Sequence, residues 1–141
     1  MRTMSSGLIV LLFLLLCAPV WAGSYQYLSP AEIKQKISDK APMALVDIQV
    51  EEEFSSHHIV GAIDTYAYPV KSDADKTKLN SILSQVLANS DPVVIVCPRG
   101  GGGAKRAYDH LLEQGVAGER LFILEKGQAG WPFPDLLAKT R

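Results

Sequence analysis

The strongest constraint on the fold is a run of four apolar, β-branched residues, Val93 to Val96, followed at once by a cysteine and a glycine-rich segment. Because this run lacks polar alternation, it predicts a strand buried on both faces, as in the centre of a parallel sheet. Cys97 would then lie at the carboxyl end of that strand, where open α/β sheets place their ligand sites. A helix is predicted to follow over 104–114, closed by Gly115.

The rest of the chain continues this alternation of strands and helices. Short apolar runs predict further strands at 25–28, 44–48 and 121–124. Ser29 is the predicted N-cap of one helix, and an apolar stripe that includes Leu87 predicts a single second helix over 76–88. We therefore expect an α/β fold with a central, mostly parallel sheet flanked by helices on both faces.

The first 22 residues have the pattern of a secretory signal. Arg2 gives a positive start, residues 8–20 carry no charge, and Ala22 precedes a small residue at a suitable cleavage position. The apolar run is shorter than the roughly 20 residues of a spanning helix, so we favour a cleaved signal over an uncleaved membrane anchor. The expected product is a domain over 23–141 without stable membrane insertion. It is predicted to be periplasmic, with secretion or N-terminal anchoring as alternatives.

Charge and residue types exclude several classes of partner and cofactor. The net charge of −1 includes no basic excess that would favour nucleic acid. Cleavage would remove Cys17 and leave Cys97 as one thiol in a compartment that favours disulfides. His57 and His58 adjoin, so their side chains would point opposite ways and we expect structural roles rather than a metal site. His110 is expected on the helix surface. Neither a metal nor another cofactor is predicted.

The glycines at 100–103 predict an anion-binding loop. Consecutive glycines let backbone N–H groups converge, and together with the next helix's N-terminus they stabilise a thiolate at Cys97. Arg99, Lys105 and Arg106 would raise the local potential. Lys105 and Arg106 stand in the first helical turn, where the helix dipole disfavours cations. The alternative for these two is that they are solvated surface charges.

Other chemistries of such loops lack their required residues. A P-loop needs Gly-Lys-Ser/Thr, which the segment after Gly103 does not supply. The glycine spacing also fails the dinucleotide fingerprint. A cysteine phosphatase needs an arginine six positions after its nucleophile, where this chain has Gly103. A dithiol motif would need a second cysteine at Gly100. Sulfur chemistry at a single thiol remains.

Three groups of residues, in order, resemble the rhodanese (sulfurtransferase) family. They are 45–49 with 53–54 and 58–62, then 94–102, then 124–127 with Trp131. The chain departs from the family pattern at Gln49, His57, Val60, Gly102, Gly103 and Lys126. Asp47 ends a strand close to the expected site, and we expect a hydrogen-bonded structural role for it rather than a role in shaping the pocket. By the resemblance, the six-residue loop favours sulfur over a larger phosphoryl or arsenate group.

The resemblance implies a two-step sulfur transfer. The Cys97 thiolate would take the outer sulfur of thiosulfate, or of a polysulfide, as a persulfide and pass it to cyanide or a thiol. Pro98 would stiffen the loop entrance, and Arg99 would orient the donor's sulfonate end. The implied substrate-binding residues are Pro98, Arg99, Gly100, Gly101, Gly102, Gly103 and Lys105. The alternatives are a persulfide carrier without turnover and a rhodanese-fold binding module.

Overall fold

Strands and helices alternate along the part of the chain that the computed structural model describes, residues 24–140. The strands are β1 (Tyr27–Leu28), β2 (Ala44–Asp47), β3 (His58–Ile59), β4 (Ile63–Asp64), β5 (Val93–Val96), β6 (Leu121–Leu124) and β7 (Leu137–Ala138). The α-helices are α1 (Pro30–Ser38), α2 (Glu51–Ser56), α3 (Asp73–Leu79), α4 (Leu83–Leu87) and α5 (Gly102–Glu113). Short 3-10 turns lie at Asn80–Ile82, Gly118–Arg120, Gln128–Gly130 and Pro134–Leu136.

Five of these strands form one parallel sheet in the order β1-β6-β5-β2-β4. Strand β5 is central, pairing with β2 on one side and β6 on the other, and all of its residues are buried. The carboxyl ends of β2, β5 and β6 therefore lie side by side. A second, two-stranded sheet pairs β3 antiparallel with β7.

Helices cover both faces of the central sheet. On one face, Ile95 packs in a cluster with Ala104 and Leu111 of α5. On the other, Val94 and Val96 pack with Ile33 of α1 and with Trp131. The predicted α/β architecture, with a buried parallel strand leading to Cys97, is confirmed.

Helix α1 begins as its sequence predicts. The Ser29 side chain accepts a hydrogen bond from the Glu32 backbone N–H, and the Ser29 backbone N–H donates to the Glu32 carboxylate at 2.8 Å. This capping box satisfies two backbone donors that a helix start leaves without partners. Its effect is to fix the turn between the edge strand β1 and the helix.

The prediction of one helix over 76–88 is wrong. Helix α3 begins earlier, behind a capping box of Ser72 and Asp75, and a 3-10 turn from Asn80 to Ile82 separates it from α4. The rotation that this turn introduces leaves Leu87, which the continuous stripe placed inside, 48% exposed. A stripe drawn at constant helical spacing cannot include such a break.

The expectation that His110 lies on the surface is also wrong. His110 is 6% exposed, and its Nε2 lies 2.7 Å from Oδ1 of Asn80. Burial lowers the pKa of His110, because desolvation disfavours the charged imidazolium. The residue therefore joins α5 to the turn that follows α3.

The signal sequence predicted over 1–22 lies outside the described residues. Within 24–140, no helix combines the length and the apolar character that crossing a membrane requires. The same residues contain no group of three or more His, Cys, Asp or Glu side chains placed to hold a metal ion.

Candidate active site

Cys97 is the first residue after the central strand, and its side chain is 1% exposed. The chain turns sharply behind it, so that the Gly100 N–H donates a hydrogen bond to the Cys97 Sγ at 2.7 Å. A backbone donor at this position stabilises negative charge on sulfur. The expected contact between the glycine loop and the thiol is therefore present at Gly100.

The segment after β6 holds the outer side of this loop. The Gln128 N–H donates to the Cys97 carbonyl at 2.7 Å, and the Ala129 N–H donates to the Pro98 carbonyl at 3.0 Å. These two bonds join the carboxyl ends of β5 and β6. The position of the cysteine backbone thus depends on residues about thirty positions further along the sequence.

Two glycines permit this close approach. Gly127 has φ +60° and ψ −160°, a region essentially restricted to glycine. A Cβ on it would overlap the Cys97 carbonyl oxygen and lie 2.6 Å from the Gly100 nitrogen. Gly100 has φ +73°, and a Cβ there would lie 2.9 Å from the Lys126 nitrogen. The two glycines allow two backbone segments to touch without intervening side chains.

The other predicted loop glycines form the start of α5. Gly101 is the exposed N-cap of this helix, and a Cβ on it would have nothing within 4 Å. Gly102 is its first residue. Gly103 is buried, and a Cβ on it would lie 2.9 Å from the Tyr68 ring, so that the ring would have to shift. The helix N-terminus therefore lies directly behind the cysteine loop.

The three cations near the loop in sequence are separated in space. Arg99 is exposed and lines a groove beside the loop. Lys105 is exposed, and its Nζ lies 5.4 Å from the Tyr25 ring centroid rather than in that groove. Arg106 is half-buried, and its Nε donates to the Pro69 carbonyl at 2.9 Å. Its guanidinium also covers Gly102, so it is held in place rather than freely solvated.

The groove beside the loop has a volume of about 150 Å³. It is lined by Gln49, Glu53, His57, Pro98, Arg99, Gln128 and Ala129. These residues follow β2, β5 and β6, so the groove lies at the carboxyl ends of three neighbouring strands, as ligand sites of such sheets do. A larger pocket of about 600 Å³ lies between Tyr25 and α5 but contains none of the predicted site residues. We place the chemistry at the smaller groove because Pro98 and Arg99, which follow Cys97 directly, line it.

Asp47 and His58 lie next to the groove-lining residues Gln49 and His57. Asp47 is fully buried and accepts hydrogen bonds from the Gln49 backbone N–H at 2.8 Å and from its Nε2 at 3.0 Å. Burial outweighs these bonds and raises the pKa of Asp47 to about 6. The His58 ring stacks on Phe54, and its Nδ1 lies 2.8 Å from the Phe54 carbonyl oxygen. Both side chains are thus held by neighbouring residues of the fold.

Sequence reasoning missed Gln128. Gln128 lines the groove and is 4% exposed, and neither polar atom of its buried side chain has a hydrogen-bond partner within residues 24–140. No motif in the sequence singles out this glutamine. The available signal was its position next to Gly127, in the segment that resembles the family's C-terminal motif.

Solved structures with this fold have diverse activities. A Saccharomyces cerevisiae protein described as a homolog of single-domain rhodanese and the Cdc25 phosphatase catalytic domain is 18% identical, with a TM-score of 0.68 over 83% of this chain and 89% of its own. An As/Sb reductase from Leishmania major is 15% identical, with a TM-score of 0.62 over 82% and 86%. A thiosulfate sulfurtransferase from Pseudomonas aeruginosa is 16% identical, with a TM-score of 0.62 over 83% of this chain but 21% of its own. At these identities the likeness shows the fold alone.

Sequence comparison identifies the family. No curated protein sequence matches the chain significantly. The family model for the rhodanese-like domain matches residues 29–132, which is well over half of the chain. This range includes β2, the cysteine loop and the Gly127 segment, which are the three parts that meet at the groove. The chain therefore belongs to the rhodanese-like domain family.

Proposed function

We propose that this protein is a thiosulfate-type sulfurtransferase that uses Cys97 as its nucleophile. The observation that carries the proposal is the 2.7 Å hydrogen bond from the Gly100 N–H to the Cys97 Sγ at the end of the central strand. A thiolate held in this way is a prepared nucleophile and needs no histidine to activate it. We further propose that the domain acts in the periplasm after export, on the strength of the signal pattern over 1–22.

In the first step, the Cys97 thiolate attacks the outer sulfur of thiosulfate. A bond forms between Sγ and that sulfur, and the sulfur–sulfur bond within thiosulfate breaks. The bonding pair leaves with the sulfonate group, so that sulfite departs and a persulfide anion remains on Cys97. In the second step, cyanide or a thiolate attacks the outer persulfide sulfur, and Cys97 recovers its electron pair. The two steps require no external oxidant or reductant.

The start of α5 supplies further donors for this chemistry. The first backbone N–H groups of a helix have no partner within the helix, and in α5 these belong to Gly102, Gly103 and Ala104. Together with the helix dipole, they favour negative charge near the loop. Fixed donors of this type stabilise charge that develops on the transferred sulfur. The persulfide anion is thus expected to be held by backbone rather than by side chains.

Phosphatase and arsenate reductase activity are the alternatives that the wider fold family raises. The arginine that a cysteine phosphatase needs six positions after its nucleophile is replaced by Gly103 in this chain. Gly103 is also packed beneath Tyr68, where no larger side chain fits without displacing that ring. This observation favours a sulfur donor over a phosphoryl or arsenate substrate.

Incubation of the protein with thiosulfate tests the proposal. We expect intact-mass measurement to show one added sulfur on Cys97 and cyanide then to release it as thiocyanate. Cys97→Ser should show neither the adduct nor thiocyanate, because its alcohol is a far weaker nucleophile. Absence of the adduct on the wild-type protein would overturn the proposal. An adduct with negligible turnover would instead identify a persulfide carrier.

Replacement of Arg99 by alanine should raise the KM for thiosulfate about tenfold, since a charge-assisted contact is worth roughly 1.5 kcal/mol or more. The guanidinium is exposed at the groove beside the loop, where it can meet the donor's sulfonate. Steady-state thiocyanate formation measures the effect. The matched control is Lys78→Ala, which removes one exposed cation from α3. Equal KM values for the two variants would remove Arg99 from the donor site.

A further inference from the structure

We infer that the groove beside the cysteine loop binds the sulfur acceptor, and that this acceptor is a small thiol carrying both an ammonium and a carboxylate group, as free cysteine does. The inference rests on the proposed function, because it names the substrate of the second step. The groove consists of a charged, exposed rim and a buried floor of two amide side chains.

The rim carries opposite charges. Glu53 and Arg99 are both exposed, and both line the groove, together with the exposed His57. A carboxylate and a guanidinium on one small groove favour a ligand that presents both signs of charge. Thiosulfate carries two negative charges, so it can pair with Arg99 but has no ammonium group to pair with Glu53. An uncharged thiol would use neither group.

The floor contains the amide that has no partner. Both polar atoms of the Gln128 side chain are buried, and neither makes a hydrogen bond within the described residues. The neighbouring Gln49 does not supply a donor, because its Nε2 donates to Asp47 at 3.0 Å and to the His57 carbonyl at 3.5 Å. Buried polar groups without partners are rare and costly, so such a group at a binding groove points to a ligand that satisfies it. The amide nitrogen needs an acceptor and the amide oxygen needs a donor. The carboxylate and the ammonium group of an amino-acid ligand provide both.

The size of the groove restricts the ligand. Its volume of about 150 Å³ is below the roughly 300–1,000 Å³ of pockets for drug-sized molecules. A single amino acid suits this space, whereas a longer peptide thiol would place most of its atoms outside. Arg99 can serve donor and acceptor in turn, because sulfite leaves before the acceptor binds.

The proposed transfer conserves atoms and electrons without an external oxidant or reductant. The acceptor's thiolate attacks the outer sulfur of the Cys97 persulfide, and a new sulfur–sulfur bond forms on the acceptor. The bond between that sulfur and Sγ breaks, with its electron pair returning to Cys97 as a thiolate. The acceptor leaves as its own persulfide. Pro98 and Arg99, which follow Cys97 directly, line the groove, so a thiol bound there is expected to lie next to the cysteine loop.

The ratio of the kcat/KM values for two acceptor thiols tests whether the groove recognises the ammonium group. L-cysteine and 3-mercaptopropionate differ by the ammonium group alone, so the ratio of their kcat/KM values reports its recognition. Glu53→Gln should lower this ratio about fivefold relative to wild type, as expected for loss of an exposed ion pair. The matched control is Glu52→Gln, which removes the neighbouring exposed carboxylate that does not line the groove. The ratio for each variant is compared with the wild-type ratio, so the intrinsic reactivity of the two thiols cancels.

Gln128→Leu separates ligand binding from a structural role. We expect the KM for L-cysteine to rise about tenfold, because the ligand loses its hydrogen bonds to the Gln128 amide. The free energy of unfolding should not fall, since an apolar side chain of similar size replaces a buried amide that has no partner. A large loss of stability with an unchanged KM would show that Gln128 supports the fold and not the acceptor.

The outcomes also distinguish this inference from the proposed function. If thiosulfate fails to place sulfur on Cys97, the sulfurtransferase proposal itself is overturned. If loading and thiocyanate formation proceed but Glu53→Gln and Glu52→Gln give the wild-type ratio, the acceptor site is overturned and the enzyme proposal stands. A faster reaction with a reduced protein dithiol than with L-cysteine, unaffected by Glu53→Gln, would assign the acceptor to another class.

Discussion

Replacement of Gly127 by alanine should lower the free energy of unfolding by about 3 kcal/mol or more and eliminate sulfur transfer. The φ and ψ angles of +60° and −160° belong to a region that costs other residues roughly 1–3 kcal/mol. The new methyl group would also overlap the Cys97 carbonyl oxygen and lie 2.6 Å from the Gly100 nitrogen. Relief requires backbone movement, which adds roughly another 1–3 kcal/mol. That movement separates the Gly100 N–H from the Cys97 sulfur.

Urea titration measures the loss of stability, and thiosulfate loading followed by mass measurement reports the state of the thiol. Gly101→Ala is the matched control, because a Cβ at Gly101 meets no atom within 4 Å. It should change the free energy of unfolding by less than about 1 kcal/mol. Similar losses in the two variants would show that close packing at Gly127 does not hold the loop.

The second large effect is the dependence of stability on pH that Asp47 introduces. Its pKa is raised to about 6 in the folded protein, chiefly by burial, from the ordinary value of 3.8 for an aspartate. The folded state therefore holds this proton more tightly than the unfolded state does. The stabilisation is complete below the unfolded pKa and is lost as the pH rises through about 6. Between about pH 4.5 and pH 7, the resulting decrease in the free energy of unfolding is roughly 2 kcal/mol.

Asp47→Asn should remove this contribution. Its amide has no proton to lose and can still accept from the Gln49 backbone N–H, which lies 2.8 Å from the carboxylate. Urea titrations at several pH values should show the wild-type free energy falling relative to the variant as pH increases. Glu32 and Asp75, whose pKa values are lowered by backbone N–H groups, titrate alike in both proteins and cancel. A constant difference across the range would contradict the assignment to Asp47, and the exposed Asp135→Asn serves as the control.

The architecture was predictable because its signals are local. The run from Val93 to Val96 has side chains that suit a central buried strand, and all of them are buried. Ser29 and Glu32 form their capping box within a single turn. The position of Cys97 behind the strand follows from these signals, since a strand and the next helix determine where the residue between them lies.

The remaining features depend on contacts between distant segments. His110 is buried because α5 packs against the turn that contains Asn80, thirty positions earlier. Gln128 reaches the groove because β6 pairs with β5, which brings its backbone N–H to the Cys97 carbonyl. The break before α4 left Leu87 outside the core. No pattern within one helix or strand predicts such contacts between distant segments.

The nearly complete burial of Cys97 has a consequence for the lifetime of the protein among oxidants. With its side chain 1% exposed, the empty thiol presents almost no surface to peroxide in solution, and oxidation to sulfenic and higher acids follows exposure. In the proposed cycle, thiosulfate must reach the same sulfur, so any opening of the loop that admits the donor also admits the smaller peroxide. Oxidation of the empty thiol therefore competes directly with sulfur loading, and a shortage of donor would leave the thiol open to damage for longer.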